Sequence, residues 1–163
     1  LFILRKKLIL SKGVLLMYED IRYMRENELK DLLELYKQLN KDDPELEENE
    51  ELATLWKGIL GNPNQHYLVA EADGKIVSSC VLVIIDNLTR GARPYGLIEN
   101  VVTHEEYRKK GYGTRLLKRA LEIAQHKGCY KVMIMSGRGE DTLKFYEKAG
   151  FERGKKTGFI VKF

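Results

Sequence analysis

The spacing of apolar side chains changes along the chain, and each spacing predicts one kind of element. In ENELKDLLELYKQLN, residues 26–40, leucines and a tyrosine recur every three or four positions, which predicts an amphipathic helix. A second, shorter helix is predicted for EELATLWKGIL and ends at Gly61-Asn62-Pro63. The polar stretch KDDPELEENE between them contains a proline, so we expect a surface loop there.

Runs rich in β-branched and aromatic residues predict the next strands. IRYM, residues 21–24, predicts a short strand. HYLVAEA and KIVSSCVLVII predict a hairpin, because the Asp73-Gly74 dipeptide between them favours a tight turn. NLTRGARP predicts a second loop, and YGLIENVVT, residues 95–103, predicts a further strand.

Helices and strands alternate in the last third of the chain. YRKKGYGTRLLKRAL begins a predicted helix that reaches about Lys127, because its apolar residues share one face. CYKVMIM predicts a strand, EDTLKFYEKAG a helix closed by Gly150, and GFIVKF a last strand. The order β-α-α-β-β-β-α-β-α-β predicts an α/β fold, with a mixed central sheet and helices on both faces.

The composition agrees with a single globular domain. Of the 163 residues, 44% are hydrophobic and 32% are charged, and no apolar run reaches the roughly 18 residues needed to span a bilayer. Cys80 and Cys129 are too few for a disulfide framework or a zinc site. We expect free thiols in a cytoplasmic protein without a metal.

The net charge of +4 arises in the N-terminal segment. Residues 1–16 contain no acidic residue and four basic ones, Arg5, Lys6, Lys7 and Lys12, so residues 17–163 are neutral. Nucleic-acid binding depends on neutralising phosphates, which makes a neutral domain a poor candidate for it. The codons AAG-GGG, which encode Lys-Gly, match a bacterial ribosome-binding site, and Lys12-Gly13 stands three codons before Met17. We therefore expect residues 1–16 to be a translated leader, or an added segment, and residues 17–163 to form the functional domain.

The basic and glycine-rich stretch Arg108-Lys109-Lys110-Gly111-Tyr112-Gly113 lies between a predicted strand and a helix. The first turn of a helix has unpaired N–H groups and a partial positive charge, and glycines let successive N–H groups face one anion. The stretch lacks the P-loop and dinucleotide-binding patterns. On these residues alone, a pyrophosphate cradle and a purely structural tight turn remain equally open.

Two motifs give the chain a specific resemblance. It resembles the GNAT superfamily of acetyl-CoA-dependent N-acetyltransferases, whose [RQ]-x-x-G-x-[GA] motif matches Arg108, Gly111 and Gly113. The family signature F-Y-E-K-x-G-F matches Phe145 to Phe151. LIENVVTHEEYRKKG, GCYK and FYEKAGF resemble the glucosamine-6-phosphate N-acetyltransferase branch. The resemblance covers residues 17–163.

The resemblance implies a coenzyme A site. It implies that the loop Arg108–Thr114, with Lys109, Lys110 and Tyr112, wraps the pyrophosphate with its backbone amides. The preceding strand would splay from the next one, so that Val101 and Val102 pair with the pantetheine arm as a sheet edge pairs with an added strand. The same resemblance adds Phe145 and Lys148 to the cofactor-binding residues.

Acetyl transfer to an amine requires a neutral nucleophile and a proton for the departing thiolate. The resemblance makes Tyr146 the candidate general acid, although the ring can also be read as packing on the sheet. Glu99 is the candidate general base, and a salt bridge is its alternative explanation. The N–H of Val102 is the candidate donor to the oxyanion of the tetrahedral intermediate.

The acceptor is less well defined than the cofactor. Asn100 is a candidate substrate residue, but the glucosamine-6-phosphate branch has Asp there. Arg90 and Arg93 are candidates for binding an acidic or phosphorylated acceptor, and an exposed, solvated loop is the alternative explanation for both. Gly139 stands where many family members have Asn, so one side-chain contact to the cofactor is missing. His66 and His104 are isolated, and only His104 lies close enough to the predicted strand end to touch a substrate.

The leading hypothesis is therefore an enzyme that transfers the acetyl group of acetyl-CoA directly to a primary amine of a small molecule. One alternative is a non-catalytic acyl-CoA sensor, and another is an acetyltransferase acting on a protein amine. A nucleic-acid binder that uses residues 1–16 is disfavoured, and no membrane partner is expected. The apolar strand GFIVKF suggests that two copies pair as a homodimer.

Overall fold

The computed structural model describes residues 20–163, so the predicted leader, residues 1–16, lies outside the described residues. Five strands form one sheet in the order β1-β2-β3-β4-β5. Neighbouring strands are antiparallel except β4 and β5, which are parallel. The strands are β1 (Ile21–Tyr23), β2 (Gln65–Ala72), β3 (Lys75–Ile85), β4 (Tyr95–Thr103) and β5 (Val132–Ile134).

Helices cover both faces of this sheet, which confirms the predicted α/β class with a mixed sheet. Short 3-10 turns, Glu26–Glu28 and Glu105–Tyr107, precede the first and third helices. The helices are α1 (Leu29–Tyr36), α2 (Glu50–Gly61), α3 (Tyr112–His126) and α4 (Glu140–Lys148).

Each face of the sheet has its own apolar core. On one face, Leu116, Leu117 and Ala120 of α3 are completely buried among strand residues, and Phe145 and Tyr146 of α4 pack at the edge of the same cluster. On the other face, Leu32 of α1 and Trp56 of α2 are buried against β2. A group that passes between β4 and β5 therefore passes from the α3 layer to the α1 layer.

An ion pair fixes the beginning of α3 to the edge of the sheet. The Arg115 Nη2 atom is 2.5 Å from a carboxylate oxygen of Asp20, and both side chains are partly buried. The Arg115 guanidinium carbon also lies 4.8 Å from the centre of the Tyr112 ring. The ion pair ties the first turn of α3, which follows the predicted cofactor loop, to the residue before β1.

The prediction of a strand for GFIVKF is wrong, since residues 158–163 form no strand in the structure. A strand needs a hydrogen-bonded neighbour, and in the described chain this segment has none. A Cβ at Gly158 would lie 3.5 Å from the Met135 sulfur, so the segment begins near the end of β5. Its apolar side chains then face solvent: Phe159, Ile160, Val161 and Phe163.

Two other elements are shorter than predicted. The helix predicted for residues 26–40 begins with a 3-10 turn and its α-helical part ends at Tyr36, and the strand predicted for CYKVMIM keeps only three residues. The predicted loop NLTRGARP contains a tight left-handed turn with φ of 58° at Arg90 and 71° at Gly91. The apolar pattern does not reveal these ends, because pairing with other elements determines them.

Candidate active site

The parallel strands β4 and β5 separate partway along β4. Their pairing runs from Gly96 opposite Val132 to Ile98 opposite Ile134, whereas β4 continues to Thr103. Beyond Ile98, this edge of β4 has no strand partner in the described part of the chain. A cleft of about 580 Å³ occupies the gap. Its walls are residues 98–103, the loop before α3, residues 134–138, one face of α4 and residues 38–40.

A β-bulge shapes the free part of β4. Ser79 pairs with Val102 and Val81 pairs with Glu99, so Asn100 and Val101 together oppose the single residue Cys80. Asn100 has a φ of 51°, in the left-handed region that asparagine tolerates better than most residues. The bulge bends β4 away from β5 and places Glu99, half-buried, and Asn100, exposed, on the wall of the cleft.

The loop before α3 is held closely to the rest of the cleft. A Cβ at Gly113 would lie 3.1 Å from Phe145 Cζ and 3.2 Å from Thr103 Oγ1, so only glycine fits without a shift of its neighbours. Arg108 Nε donates to the Thr103 carbonyl over 3.1 Å. Gly111 precedes the helix with a φ of 86°. The sequence motif therefore corresponds to a close contact among this loop, β4 and α4.

This loop presents unpaired amides to the cleft. Arg115 donates its backbone N–H to Gly111 O over 3.0 Å, which is the first turn of α3. The N–H groups of Tyr112, Gly113 and Thr114 precede that bond and have no intrahelical acceptor. Arg108 and Lys109 also line the cleft, and the loop residues therefore fit a pyrophosphate.

Two predicted cofactor residues lie outside the lining of the cleft. Lys110 places its ammonium 4.8 Å from the centre of the Tyr107 ring. Lys148 belongs to the last turn of α4 and is exposed. By contrast Val101, Val102, Thr114 and Phe145 all line the cleft. The assignment of Lys110 and Lys148 to the cofactor stays a prediction.

Tyr146 and Glu99 lie in the same cleft although the sequence separates them by a helix and a strand. The Tyr146 ring centre is 5.1 Å from that of Phe145 and 6.2 Å from that of Phe151. Burial raises the pKa of Tyr146, the charge of Arg138 opposes this increase, and the nearby Glu99 adds to it. The phenol is therefore protonated at neutral pH and can donate a proton.

Behind the bulge, two hydroxyl groups are buried without a hydrogen-bond partner among residues 20–163: those of Tyr36 and Ser79. Ser79 and the Asn100 side chain are close enough to the Tyr36 hydroxyl to lower its pKa, although neither makes a bond of good geometry. Burial is the larger effect and raises the pKa of Tyr36. The sequence indicated only that Tyr36 belongs to the apolar face of α1.

Arg138 is a second residue that the sequence analysis missed. Its side chain lines the cleft, and its Nη2 atom donates to the carbonyl of Leu39 over 2.8 Å. The contact joins the loop after β5 to the end of α1, which lie 99 positions apart. In SGRGED, the one sequence feature that could have indicated a role for Arg138 is its position between two glycines directly before a helix.

The other predicted acceptor residues are not brought into the cleft. Arg93 donates to the carbonyls of Gly128 and Cys129, each over 3.2 Å, at the far end of α3. Arg90 lies in the left-handed turn, outside the lining of the cleft. Their roles in substrate binding stay predictions, but the geometry gives them no support.

The remaining predicted positions have local roles. His66 is buried, and burial lowers its pKa. The Nδ1 atom of His104 accepts the N–H of Glu106 over 3.3 Å. Gly139 begins α4 and offers no side chain to the cleft.

Neither a metal centre nor a membrane span is found in residues 20–163. No three His, Cys, Asp or Glu side chains in this range are placed to hold a metal ion. None of its helices combines the length and the apolar character needed to cross a membrane. Cys80 is a buried free thiol whose pKa burial raises to about 12.

Comparison with known proteins assigns the chain to a family. Residues 27–151 match the acetyltransferase (GNAT) family. A glucosamine 6-phosphate N-acetyltransferase from Trypanosoma brucei brucei is 37% identical over 137 residues, which cover 81% of this chain and 88% of that protein. A glucosamine 6-phosphate N-acetyltransferase from Dictyostelium discoideum is 31% identical over 98 residues, 58% of this chain and 61% of that protein.

The fold agrees with the same family. A putative acetyltransferase from Agrobacterium tumefaciens superposes with a TM-score of 0.82 at 42% identity, covering 88% of this chain and 99% of that chain. The predicted resemblance is therefore confirmed: the chain belongs to the acetyltransferase (GNAT) family and is an acyltransferase.

Proposed function

We propose that this protein transfers the acetyl group of acetyl-CoA to the primary amine of glucosamine 6-phosphate. The main support for the proposal is the cleft between β4 and β5, because Glu99, Tyr146 and the first residues of α3 all line it. The GNAT family uses acetyl-CoA, and relatives from a trypanosome and a slime mould carry the name glucosamine 6-phosphate N-acetyltransferase.

Two features of the cleft suit acetyl-CoA. The amides of Tyr112, Gly113 and Thr114, with Arg108 and Lys109, form a positive site for the pyrophosphate. The free edge of β4 at Val101 offers backbone groups to the amides of the pantetheine arm, whereas the Val102 carbonyl is turned to β3 and accepts from the Ser78 hydroxyl over 2.8 Å. Acetyl-CoA supplies the thioester, and the protein holds it and places the acceptor.

In the proposed reaction, Glu99 accepts a proton from the acceptor ammonium, directly or through water. The amine nitrogen then bonds to the thioester carbonyl carbon, and a backbone N–H on the free edge of β4 donates to the oxygen on which negative charge develops; the predicted donor, Val102, has its backbone groups turned to β3. The nitrogen loses its second proton to water, and the C–S bond breaks as the tetrahedral intermediate collapses. The products are an acetamide and coenzyme A, whose sulfur receives the proton of Tyr146.

The pKa values show why Tyr146 needs its surroundings. A thiol has a pKa near ~8.5 and a phenol near ~10, so full proton transfer from an ordinary tyrosine to a thiolate costs about 2 kcal/mol. Burial increases this cost for Tyr146, whereas the charge of Arg138 reduces it. Tyr146 is therefore best suited to donate while the C–S bond is breaking.

Asn100 is the main departure from the glucosamine-6-phosphate pattern. It removes a carboxylate from the acceptor side of the cleft, next to Glu99. An acetyltransferase acting on a different small amine or on a protein amine, and an acyl-CoA sensor, are the competing functions. The cleft itself favours an enzyme, because a sensor needs neither Glu99 nor Tyr146.

The proposal is tested by thiol release from acetyl-CoA in the presence of glucosamine 6-phosphate, and by calorimetry with acetyl-CoA alone. Tyr146→Phe is expected to lower kcat by roughly 10²- to 10⁴-fold with little change in acetyl-CoA affinity. Tyr95→Phe is the matched control, because Tyr95 lies outside the lining of the cleft and packs on Tyr130. Binding of acetyl-CoA without turnover of any amine would favour the sensor.

We also infer that the active form is a homodimer in which residues 158–163 of each copy pack on the other copy. The apolar side chains of this segment are exposed, and Phe159 keeps 91% of its surface accessible. Four exposed apolar side chains in one short segment indicate a contact surface.

A further inference from the structure

We propose that Arg138 recognises the anionic group of the acceptor, a phosphate ester, at the side of the cleft that faces α1. This inference rests on the proposed acetyl transfer to an amino sugar phosphate and names the residue that would distinguish this acceptor from an uncharged amine. Arg90 and Arg93, the cations that the sequence suggested for this purpose, do not line the cleft.

The position of Arg138 follows from residues 38–40, which cross the cleft. Gln38 Oε1 accepts the Glu105 N–H over 2.8 Å beyond the end of β4, and the Leu39 carbonyl accepts from Arg138 over 2.8 Å on the opposite wall. This segment follows α1, whereas the pyrophosphate loop begins α3 on the other face of the sheet. Arg138 therefore lies where the cleft opens toward the α1 layer.

The cationic side chains of the cleft are divided between these two sides. Three cationic side chains line it: Arg108, Lys109 and Arg138. Arg108 and Lys109 belong to the loop that suits the pyrophosphate. Arg138 is the remaining cation; it shares the cleft with Tyr146, and its charge lowers the pKa of that phenol. An acceptor that brings its amine toward Glu99 and Tyr146 thus has Arg138 within reach of its other end.

The guanidinium of Arg138 has hydrogen-bonding capacity left for a ligand. An arginine has five N–H donors in a planar fork, and the Leu39 carbonyl takes one of them. No carboxylate in the described part of the chain forms an ion pair with Arg138. The side chain is exposed, so a phosphate can reach it without displacing buried groups.

The adjacent glycines allow the guanidinium to adjust to the ligand. A Cβ at Gly137 or Gly139 would have no atom within 4 Å, so open space surrounds the backbone on both sides of Arg138. The Ser136 hydroxyl accepts the Arg138 N–H over 3.3 Å and fixes one side of the loop. The side chain can therefore keep its contact with Leu39 while its free edge turns to a phosphate.

The test compares glucosamine 6-phosphate with glucosamine, which differ only in the phosphate. Arg138→Gln is expected to lower kcat/KM for the phosphorylated amine by roughly 10- to 100-fold, mainly through KM, because charge-assisted hydrogen bonds are lost. The same change should lower kcat/KM for glucosamine by a clearly smaller factor, of about threefold, because the effect of Arg138 on Tyr146 is common to both amines. Arg138→Lys should recover part of the loss as a point charge. Arg153→Gln is the control, since Arg153 is an exposed arginine paired with Glu140 and Glu147.

An equal fall with both amines would overturn the proposal, because it would make Arg138 a structural tie or an electrostatic partner of Tyr146. If the wild-type protein acetylates neither amine, the proposed acceptor is wrong, and inorganic phosphate then serves as the probe. Calorimetric binding of phosphate that Arg138→Gln removes and Arg153→Gln retains would support the anion site. Phosphate binding that is absent from the wild type, or unchanged in Arg138→Gln, would overturn it.

Discussion

At the scale of single residues, the proton on Tyr146 sets an alkaline limit on turnover. A general acid works only while it is protonated, so its activity is lost as pH rises through its pKa. An ordinary tyrosine has a pKa of about 10. Since burial raises the pKa of Tyr146 further, the phenol keeps its proton through the whole neutral and mildly alkaline range.

We therefore expect kcat, measured at saturating substrates, to show no decline below about pH 10 that depends on Tyr146. Arg138→Gln should move this alkaline limit upward, because the positive charge of Arg138 lowers the pKa of the phenol. The measurement is kcat against pH for the wild type, Arg138→Gln and Tyr146→Phe. A decline near pH 8 in the wild type that Tyr146→Phe lacks would contradict the raised pKa.

The sequence was informative about residues that belong to a local motif. Tyr146, Gly111 and Gly113 could be selected because their neighbours in the chain form a recognisable pattern. Arg138 and the buried hydroxyl of Tyr36 could not, because their significance depends on contacts with distant residues. Arg138 meets Leu39 across 99 positions, and Tyr36 meets the bulge of β4 only after α1 has packed on the sheet.

At the scale of elements, the start of α3 depends on a close contact at Gly113. A methyl group there would press on Phe145 of α4 and on Thr103, whose hydroxyl is 2.8 Å from that of Ser78. Accommodating it requires the helix start, β4 or α4 to move. Such overpacking typically lowers the free energy of unfolding by about 1–3 kcal/mol.

We expect Gly113→Ala to reduce both stability, by about 1–3 kcal/mol in urea denaturation, and acetyl-CoA affinity in calorimetry. Gly58→Ala is the matched control: Gly58 lies inside α2 and a Cβ there would have no atom within 4 Å. In that helix interior, alanine should raise the free energy of unfolding by about 0.5–1 kcal/mol. Equal stability of the two variants would show that the contact at Gly113 is not restrictive.

Most elements could be predicted from apolar periodicity, whereas the features that open the cleft could not. The hairpin of β2 and β3, strand β4 and helix α3 follow from local pattern and turn residues. The bulge at Asn100 depends on the register between β3 and β4. The short pairing of β4 with β5 likewise depends on tertiary packing. GFIVKF shows the opposite error, since a strand-like pattern forms no strand without a neighbour.

At the scale of the whole molecule, the two layers of helices give the cleft two sides. The α3 layer provides the amides and charges suited to coenzyme A, and the α1 layer provides residues 38–40 beside Arg138. The splayed strands connect these sides, so that two substrates can approach one another from opposite faces of the sheet.

The exposed segment 158–163 leads to a prediction about assembly. Burying a Phe, Ile or Val side chain contributes about 1.5–3 kcal/mol, so four such side chains can supply much of a dimer interface. Sedimentation should therefore give about twice the mass of the 18.9 kDa chain. Val161→Lys should yield a monomer, because it places a charge within the apolar segment. Leu88→Lys, at an isolated apolar residue that is 94% exposed, should leave the dimer intact. A monomeric wild type, or a dimer that tolerates Val161→Lys, would show that this segment does not hold two copies together.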